Sequence, residues 1–413
     1  MQEMKDSGIS WVGEIPTNWT IGRIGGLYSL RNQKVSDKDY EPLSVTMKGV
    51  LPQLETAAKT NDGDNRKLVK RGDFAINSRS DRRGSCGIAD RDGSVSLINT
   101  ILKPRNLMNA KYYNWLFHTP MFADEFYKWG HGIVDDLWST NWEEMKKIQI
   151  PIPALDEQQK IADFLDIECG KIDGLKADIQ AQIDTLEQYK RSVITEAVTH
   201  GLNPSVPMRD SGAGWMPLIP LHWKADKLKF HLRQRGIKNQ IDKQVLSLYR
   251  EYGIVPKDSR DDNHNVTSED VSDYRYVRVG DFVVNKMKAW QGSVAVSNYE
   301  GIVSPAYFVY EFSDDLINKR YFHYLMRNKT YATEFRRLSG GIREGQWDLP
   351  SEALNNTIIL LPPLDEQQEI ADYLDNKCAE IEQIIADKKS QIETLDGYKK
   401  SLIYEYVTGK KEV

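Results

Sequence analysis

The chain has 413 residues and a formal net charge of −5, and 40% of its residues are hydrophobic. This length allows two or three domains with cores of their own. The three cysteines form no CxxC pair, which argues against a disulfide framework and a zinc site. The N-terminus lacks a signal-peptide pattern, and the longest apolar run, 358–361, is too short to span a membrane. We therefore expect a soluble, cytoplasmic protein with no membrane partner.

The charge is partitioned along the chain. Segments 1–152 and 205–362 contain slightly more Lys and Arg than Asp and Glu, whereas 153–204 and 363–413 are acidic. Local patches, rather than the average over a whole chain, attract charged ligands. The two longer segments are thus compatible with nucleic-acid binding, but their small basic excess does not establish it.

An internal repeat determines the domain organisation. The stretch 155–162, LDEQQKIA, returns at 364–371 as LDEQQEIA, 209 residues later. A period this long indicates two similar structural units. The predicted order is a globular segment at 1–152, a long helix at 153–202, a globular segment at 203–362 and a long helix at 363–413.

Each globular segment is predicted to be α+β. Short apolar runs behind Gly-Asp turns, and longer runs rich in Val, Ile and aromatic residues, are typical of strands. Three pairs of stretches carry the prediction, the first two as strands and the third as helices: Phe74–Ile76 with Phe282–Val284, Ser94–Leu102 with Ile302–Phe312, and Tyr112–Phe126 with Lys319–Phe335.

The two shorter segments predict amphipathic helices of about 45 residues each. Prolines precede them, and Asp-Glu in the first turn suits the positive end of the helix dipole. Apolar residues then recur at spacings typical of a coiled-coil seam: Ile172, Leu175, Ile179, Ile183, Leu186, Tyr189 and Val193, and in the second copy Ile381, Ile384, Ile392, Leu395, Tyr398 and Leu402. We expect the two helices to pair antiparallel, with approximate two-fold symmetry and one globular segment at each end.

No catalytic motif accompanies this pattern. The sequence contains no phosphate-binding GxxxxGK[ST], no HExxH zinc motif, no GxSxG nucleophile elbow and no complete dinucleotide fingerprint. We therefore predict no catalytic, cofactor-binding or metal-binding residue. An active site assembled from dispersed residues would escape this search, so an enzyme stays open as an alternative.

Basic and polar loops are the best candidates for ligand contacts. The stretches 77–84 and 285–292 occupy equivalent places in the repeat but differ in side chains, as two domains that read different ligands would require. Arg, Lys, Asn and Gln are suited to base edges, and Arg and Lys also to phosphates. The candidates are Asn77, Arg79, Asp81, Arg82 and Arg83 in the first loop, Asn285, Lys286, Lys288, Trp290 and Gln291 in the second, Arg343 and Gln346 in the glycine-rich stretch 339–347, and Lys48 and Arg250 beside predicted turns. The alternative for each is a solvated surface position.

These repeats resemble the specificity subunit of a type I restriction–modification system. The resemblance covers essentially the whole chain. It rests on three motifs present in both copies, namely Trp-x-x-x-Ile-Pro-x-x-Trp at 11–19 and 215–223, Gly-Asp-Phe at 72–74 and 280–282, and the Leu-x-Glu-Gln-Gln that opens each long helix.

The resemblance implies two target recognition domains that each read one half of a bipartite DNA sequence, and an antiparallel coiled coil that sets the unread spacer. It implies no catalytic activity in this chain. Two methyltransferase subunits and the restriction subunits would bind to it, and S-adenosylmethionine, ATP and Mg²⁺ would belong to those partners. Six residues are candidates for methyltransferase docking, with helix-start hydrogen bonding as the alternative role: Glu157, Gln158, Gln159, Glu366, Gln367 and Gln368.

Because the two basic loops differ, we expect an asymmetric DNA target. A two-headed coiled-coil scaffold that binds proteins would show the same repeats and remains the alternative function. Its binding should not weaken steeply with salt, whereas that of a DNA-binding protein should.

Overall fold

The computed structural model describes residues 3–53, 62–79, 82–105, 108–132, 138–250, 252–259, 267–341 and 347–413. The chain divides into two compact units. Unit 1 comprises 1–179 and 389–413, and unit 2 comprises 180–388. Each unit therefore contains one globular part and a portion of both long helices.

The elements of unit 1 follow the α+β pattern. In chain order they are β1 (Met4–Asp6), β2 (Glu14–Pro16), β3 (Thr20–Arg23), α1 (Ile24–Leu27), β4 (Tyr28–Leu30), β5 (Lys34–Val35), β6 (Leu43–Thr46), β7 (Gly49–Pro52), β8 (Arg66–Val69), β9 (Phe74–Asn77), β10 (Cys86–Ile88), β11 (Gly93–Val95), β12 (Asn99–Pro104), α2 (Ala110–Phe117), α3 (Pro120–Lys128), α4 (Trp142–Met145) and β13 (Gln149–Ile152). The long helix α5 (Leu155–His200) begins there and continues into unit 2.

Unit 2 repeats this order. Its elements are β14 (Met208–Ala213), β15 (Met216–Pro220), β16 (Lys224–Lys227), β17 (Leu232–Arg235), β18 (Leu246–Tyr249), β19 (Gly253–Pro256), β20 (Arg275–Val277), β21 (Phe282–Asn285), β22 (Val294–Val296), β23 (Gly301–Val303), β24 (Tyr307–Phe312), α6 (Lys319–Arg327), α7 (Lys329–Leu338), α8 (Ser351–Asn355) and β25 (Ile358–Leu361), with 3₁₀ turns at Leu228–Phe230, Lys257–Ser259 and Ala289–Gln291. The second long helix, α9 (Leu364–Val407), follows. The predicted α+β class and the two long helices are confirmed.

A four-stranded antiparallel sheet organises each globular part. The strand order is β10-β9-β12-β4 in unit 1 and β22-β21-β24-β17 in unit 2. Both faces of each sheet are covered, so alternate residues of β9 enter two different cores: Phe74 and Ile76 pack against the helices, and Ala75 packs against the β6–β7 hairpin. Double coverage explains why the strand sequences are continuously apolar rather than alternating.

Some predicted elements are divided. The stretch 94–102 contains a turn in which the Asn99 amide donates to the Ser96 carbonyl, so its two ends enter different sheets as β11 and β12. The stretch 112–126 is helical as predicted, but Thr119 and Pro120 divide it into α2 and α3. In unit 2, β23 and β24 divide 302–312 in the same way, and the Asn328 cap divides 319–335 into α6 and α7.

A buried ion pair fixes the Gly-Asp-Phe turn in each unit. In unit 1 the Asp73 carboxylate accepts hydrogen bonds from Arg31, at 2.5 Å, and from the Lys70 amide. In unit 2 Asp281 accepts from Arg235 and from the Arg278 amide. Burial raises the pKa of Asp281, and these donors offset the rise only in part. The aspartate thus has a structural reason to precede the central strand.

The long helices pair antiparallel within each unit, as predicted. In unit 1 Lys399 contacts Asp173 at 2.7 Å, and Lys176 pairs with Asp396. In unit 2 Lys190 pairs with Glu382, which is the same contact after a shift of 209 residues. Antiparallel order follows, because the partner number falls as the first number rises.

The seam of these helices is narrower than its sequence pattern suggests. Ile172, Ile183, Ile381 and Leu402 are buried. Four predicted seam residues are exposed instead: Leu175, Tyr189, Ile384 and Tyr398. A two-helix contact covers only a narrow stripe of each helix, so apolar residues at its margin remain at the surface. Among the described residues, no helix combines the length and apolar character needed to cross a membrane.

Candidate nucleic-acid interface

The first predicted loop continues directly from the central strand β9. Asn77 ends that strand and is buried. Its side-chain oxygen accepts a hydrogen bond from the backbone amide of Arg79 at 3.1 Å, and its backbone amide donates to the Ser85 carbonyl at 2.9 Å. Asn77 therefore holds the start of the loop, and its predicted DNA contact stays a prediction. We refer to residues 78–84 as loop A.

Loop A lies beside the segment that follows α3. The Thr140 amide donates to the Ser78 carbonyl at 2.9 Å, and Arg79 forms a β-bridge with Ser139. The side chains of Arg79, Arg82 and Arg83 are exposed. Three cations thus share one surface of unit 1.

Arg83 is oriented by α3. Its guanidinium lies 2.5 Å from the Asp124 carboxylate and 5.2 Å from the ring centroid of Tyr127. A guanidinium over an aromatic face is attracted by the ring quadrupole, and a carboxylate at its edge restricts rotation. The arginine is therefore presented from the loop while its supporting ring belongs to the helix.

Unit 2 builds the same backbone framework. The Asn285 side chain is buried and accepts from the Met287 amide at 3.1 Å, as Asn77 does for Arg79. The Leu349 amide donates to the Lys286 carbonyl at 3.0 Å, equivalent to the Thr140 contact. Residues 286–292 are termed loop B. As with Asn77, Asn285 supports its loop through this local bond, and its predicted DNA contact stays a prediction.

The side chains of loop B differ from those of loop A. Lys286 pairs with Asp348 at 3.2 Å, and Lys288 and Gln291 are exposed. The 3₁₀ turn Ala289–Gln291 presents Trp290, whose indole N–H donates to the Met287 carbonyl at 3.1 Å. The structure therefore brings loop B next to Asp348, which directly follows the glycine-rich stretch 339–347.

An aromatic and cationic cluster adjoins loop B. The rings of Trp290 and Trp347 have centroids 5.7 Å apart at an interplanar angle of 59°. The Arg336 guanidinium, from α7, lies 5.8 Å from each centroid. Sequence reasoning missed Arg336 and gave Trp347 no role of its own. The available signal was the coincidence of Trp290 and Trp347 with basic residues at the end of a helical stretch.

The remaining candidates lie elsewhere. Lys48 and Arg250 are exposed between the strands of the β6–β7 and β18–β19 hairpins. The first hairpin packs on β10, where Gly49 approaches Gly87 so closely that a Cβ at Gly87 would meet Gly49 at 2.7 Å. Asp81, Arg343 and Gln346 lie outside the residues that the structure describes.

The Glu-Gln-Gln motif joins each long helix to the neighbouring globular part. In unit 1 the Gln158 side-chain oxygen accepts from the Asn109 amide at 3.0 Å, and its N–H donates to the Pro153 carbonyl at 2.9 Å. Gln159 accepts from the Asn109 side chain at 2.7 Å. Because Asn109 also caps α2, one asparagine links both helices. We call this arrangement the Gln clasp.

Unit 2 has the equivalent Gln clasp. Gln367 accepts from the Asn318 amide at 2.8 Å, and Gln368 accepts from the Asn318 side chain at 2.6 Å. Gln158 and Gln367 are only 4% and 1% exposed. Both side chains are engaged in these local hydrogen bonds, as the helix-start alternative expects, and their docking role stays a prediction.

Charged and aromatic contacts reinforce both clasps. Asp166 accepts from Lys111 at 2.6 Å and from the Trp115 indole at 2.9 Å. Its equivalent Asp375 accepts from Arg320 at 2.5 Å and from the Tyr324 hydroxyl at 2.7 Å. The hydrogen bond to Asp166 raises the pKa of Lys111. The sequence repeat therefore encodes the same junction twice with interchangeable donors.

Comparison with known proteins identifies this architecture. The family described as type I restriction modification DNA specificity domain matches residues 16–185 and 237–394, which is more than half of the chain and includes both units. The chain belongs to this specificity family. The resemblance predicted from its repeats is confirmed.

Relatives in the specificity family are distant but extensive. The MjaVIII specificity subunit of Methanocaldococcus jannaschii is 25% identical over 434 residues, covering 97% of this chain and 94% of the relative. The EcoKI specificity subunit of Escherichia coli K12 is 25% identical over 154 residues, covering 37% of this chain and 30% of the relative.

Solved structures show the same fold. A chain from a study of complex assembly and conformational transition of the type I restriction–modification system has a TM-score of 0.69 and 12% identity, covering 96% of this chain and 99% of its own length. The HsdS subunit from Thermoanaerobacter tengcongensis has a TM-score of 0.51 and 14% identity, covering 96% of this chain and 98% of its own.

One contact of the specificity motifs differs between the units. In unit 2 Glu366 accepts from the Trp223 indole at 3.0 Å and contacts His222 at 2.7 Å. In unit 1 the equivalent Trp19 indole nitrogen is buried and has no hydrogen-bond partner among the described residues. Within those residues, no group of three or more His, Cys, Asp and Glu side chains has a metal-binding arrangement.

Proposed function

We propose that this chain recognises a bipartite, asymmetric DNA target, with one half-site read by each unit. One observation carries the proposal, namely that loops A and B share their backbone anchors at Asn77 and Asn285 but present different side chains. A backbone framework that repeats while its exposed side chains differ suits two domains that recognise two different DNA half-sites.

The surface chemistry suits double-stranded DNA. In unit 1 the exposed Arg79, Arg82 and Arg83 are donors of the type that pairs with guanine edges or phosphates. In unit 2 Lys288 suits a phosphate, and Gln291 suits an adenine edge. The hairpin-tip residues Lys48 and Arg250 are further candidates, as are Lys286 and Trp290 within loop B.

We further propose that the chain is non-catalytic and docks two methyltransferase subunits and the restriction subunits. S-adenosylmethionine, ATP and Mg²⁺ would then be bound by those partners and not by this chain. Four exposed apolar residues of the long helices fall in two equivalent pairs and support a docking role: Leu175 with Ile384, and Tyr189 with Tyr398. Glu157, Gln159, Glu366 and Gln368 remain docking candidates beside the clasps.

The alternative is a coiled-coil scaffold with two protein-binding heads. Its helices and clasps would be the same, but the three exposed arginines of loop A would have no assigned role. The salt dependence of binding separates the two functions. DNA binding should weaken steeply as salt rises, by about 0.9 in log K per log salt for each phosphate contact.

The deciding experiment is single-molecule methylome sequencing of cells that carry this chain with its cognate methyltransferase. We expect a bipartite methyladenine motif with a fixed gap. Arg82→Ala should relax one position of one half-site by roughly tenfold to a hundredfold and leave the other half intact.

Arg91→Ala is the matched control. Arg91 is also exposed in unit 1, but it pairs with Asp90 in the turn between β10 and β11, away from loop A. It should leave the motif unchanged. A perfect palindrome would contradict the asymmetric target, and the absence of any bipartite motif with an active methyltransferase would favour the scaffold.

A further inference from the structure

The two units take a paired cation and aromatic ring from opposite elements. In unit 1 the loop supplies the arginine and α3 supplies the ring, namely Arg83 and Tyr127. In unit 2 loop B supplies the ring and α7 supplies the arginine, namely Trp290 and Arg336. Tyr127 and Arg336 occupy equivalent positions, 209 residues apart, whereas Arg83 and Trp290 lie one position apart in the equivalent loops. Each unit therefore keeps a guanidinium against a ring between its loop and this helix, with the two partners supplied from opposite elements.

The unit 2 arginine has the stronger aromatic support. Its Cζ is 5.8 Å from the centroids of both Trp290 and Trp347, which are themselves 5.7 Å apart. The three points form a nearly equilateral triangle, so the guanidinium lies over the junction of the two rings rather than between parallel planes. The Trp290 ring is itself fixed by its bond to the Met287 carbonyl.

Such support prepares an arginine for recognition. An exposed arginine is disordered over many rotamers, and ordering it on binding costs affinity. Cation–π contact with two indoles restricts Arg336 before a ligand arrives, while the residue remains exposed. A planar, oriented fork of N–H donors matches the O6 and N7 acceptors of guanine, whereas a phosphate is served as well by a flexible lysine.

We propose that Arg336 is a base-reading residue of unit 2 and contacts a guanine edge in the major groove. The proposal rests on the DNA-recognition function proposed above and deepens it. Lys286 and Lys288, on the adjoining loop B, provide point charges suited to the flanking phosphates. Trp290 and Trp347 act as positioning residues that hold the guanidinium.

The neighbouring Arg337 provides a matched control. It lies on the same helix and is also exposed, but both of its terminal contacts go to the buried Glu334 carboxylate, each at 2.7 Å. Its pKa is raised by that hydrogen-bonded pair. Arg337→Ala removes one positive charge from the same helix and leaves the contacts of Arg336 with both tryptophans in place.

The experiment uses the full chain in complex with its methyltransferase and compares methylome motifs of the wild type, Arg336→Ala, Arg336→Lys and Arg337→Ala. We expect Arg336→Ala to make one G·C position of a single half-site degenerate, with selectivity at that position falling roughly tenfold to a hundredfold. Arg336→Lys should show the same loss of selectivity while total methylation is largely retained, because charge remains but the fork is lost. Arg337→Ala should retain the wild-type methylation motif.

Other outcomes overturn the proposal. If Arg336→Ala keeps the wild-type motif but lowers methylation uniformly, the residue contacts a phosphate or serves stability. If both the motif and the level of methylation are unchanged, Arg336 is not part of the interface. Full selectivity in Arg336→Lys would show that the planar guanidinium fork is not required and would overturn the role given to its positioning by the tryptophans. Failure of the DNA-recognition function is distinguishable, because the wild type itself would then give no bipartite motif.

Discussion

Unit 1 and unit 2 differ most where they are exposed and least where they are buried. Both use an asparagine at the end of a central strand, an Arg–Asp pair before it and a Gln clasp beside it. Loops A and B share only their backbone anchors. Burial restricts the framework residues in both units, whereas exposed residues can differ between the units according to the ligand that each one binds. The comparison therefore separates residues that hold each unit from those available to read DNA.

Removal of the buried aspartate should give the largest effect. Asp73→Ala leaves Arg31 and the Lys70 amide without their acceptor and should destabilise unit 1 by about 3–5 kcal/mol. Asp281→Ala should cost less, about 2 kcal/mol, because Arg235 retains Glu311 at 3.0 Å. Hydrogen exchange in β9 and β21 would measure both, and equal losses would contradict the asymmetry.

Truncation of the clasp glutamines should have a smaller effect. Gln158→Ala leaves the Asn109 amide and the Pro153 carbonyl unpaired, at a cost of about 1–3 kcal/mol. Gln367→Ala should cost more, because Gln367 also donates to the Leu316 carbonyl. Exchange of amides in α2 and α6 would report each loss.

The neighbouring exposed residues serve as controls for the clasps. Lys160→Ala and Glu369→Ala change exposed positions two residues beyond each clasp glutamine and should leave exchange in α2 and α6 unaltered. Similar protection loss in these variants would indicate a general helix effect instead of a clasp.

The tryptophan contact should distinguish the units again. Glu366→Ala removes the acceptor of the buried Trp223 indole and should cost about 1–2 kcal/mol in unit 2. Glu157→Ala should cost markedly less, because the Trp19 indole nitrogen has no hydrogen-bond partner among the described residues. Denaturation followed by tryptophan fluorescence would measure the loss of unfolding free energy in each variant. A larger loss for Glu157→Ala than for Glu366→Ala would contradict this prediction.

The interhelical ion pairs should contribute least. Lys399→Ala and Lys190→Ala remove equivalent, partly exposed pairs, and each should cost about 0.2–1 kcal/mol and less at high salt. The two losses should match because the contacts are related by the repeat. Thermal melts at low and high salt would compare them, and a loss insensitive to salt would argue against an electrostatic origin.

The sequence predicts the framework better than the surface. The long helices are evident because 46 and 44 residues of helical periodicity leave little ambiguity. Short elements are not, since a single turn such as that at Ser96–Asn99 redirects the chain into another sheet. Residue type alone makes Asn77 a candidate for base contact, but only the fold shows that its side chain is buried and bonded to the backbone of its own loop. Arg336 was missed because it and its two partners, Trp290 and Trp347, come from three separate stretches that only the fold brings together.

The division of the chain has a genetic consequence. Unit 2 is one uninterrupted stretch, 180–388, whereas unit 1 is formed from the two stretches that flank it. A recombination event that replaced 180–388 would exchange a complete unit with its own sheet, clasp and loop B in a single transfer. Both junctions fall inside α5 and α9, so the incoming segment would have to preserve helical phase at 179/180 and 388/389. Crossovers at 152/153 would instead separate β13 from the helix that completes the core of unit 1.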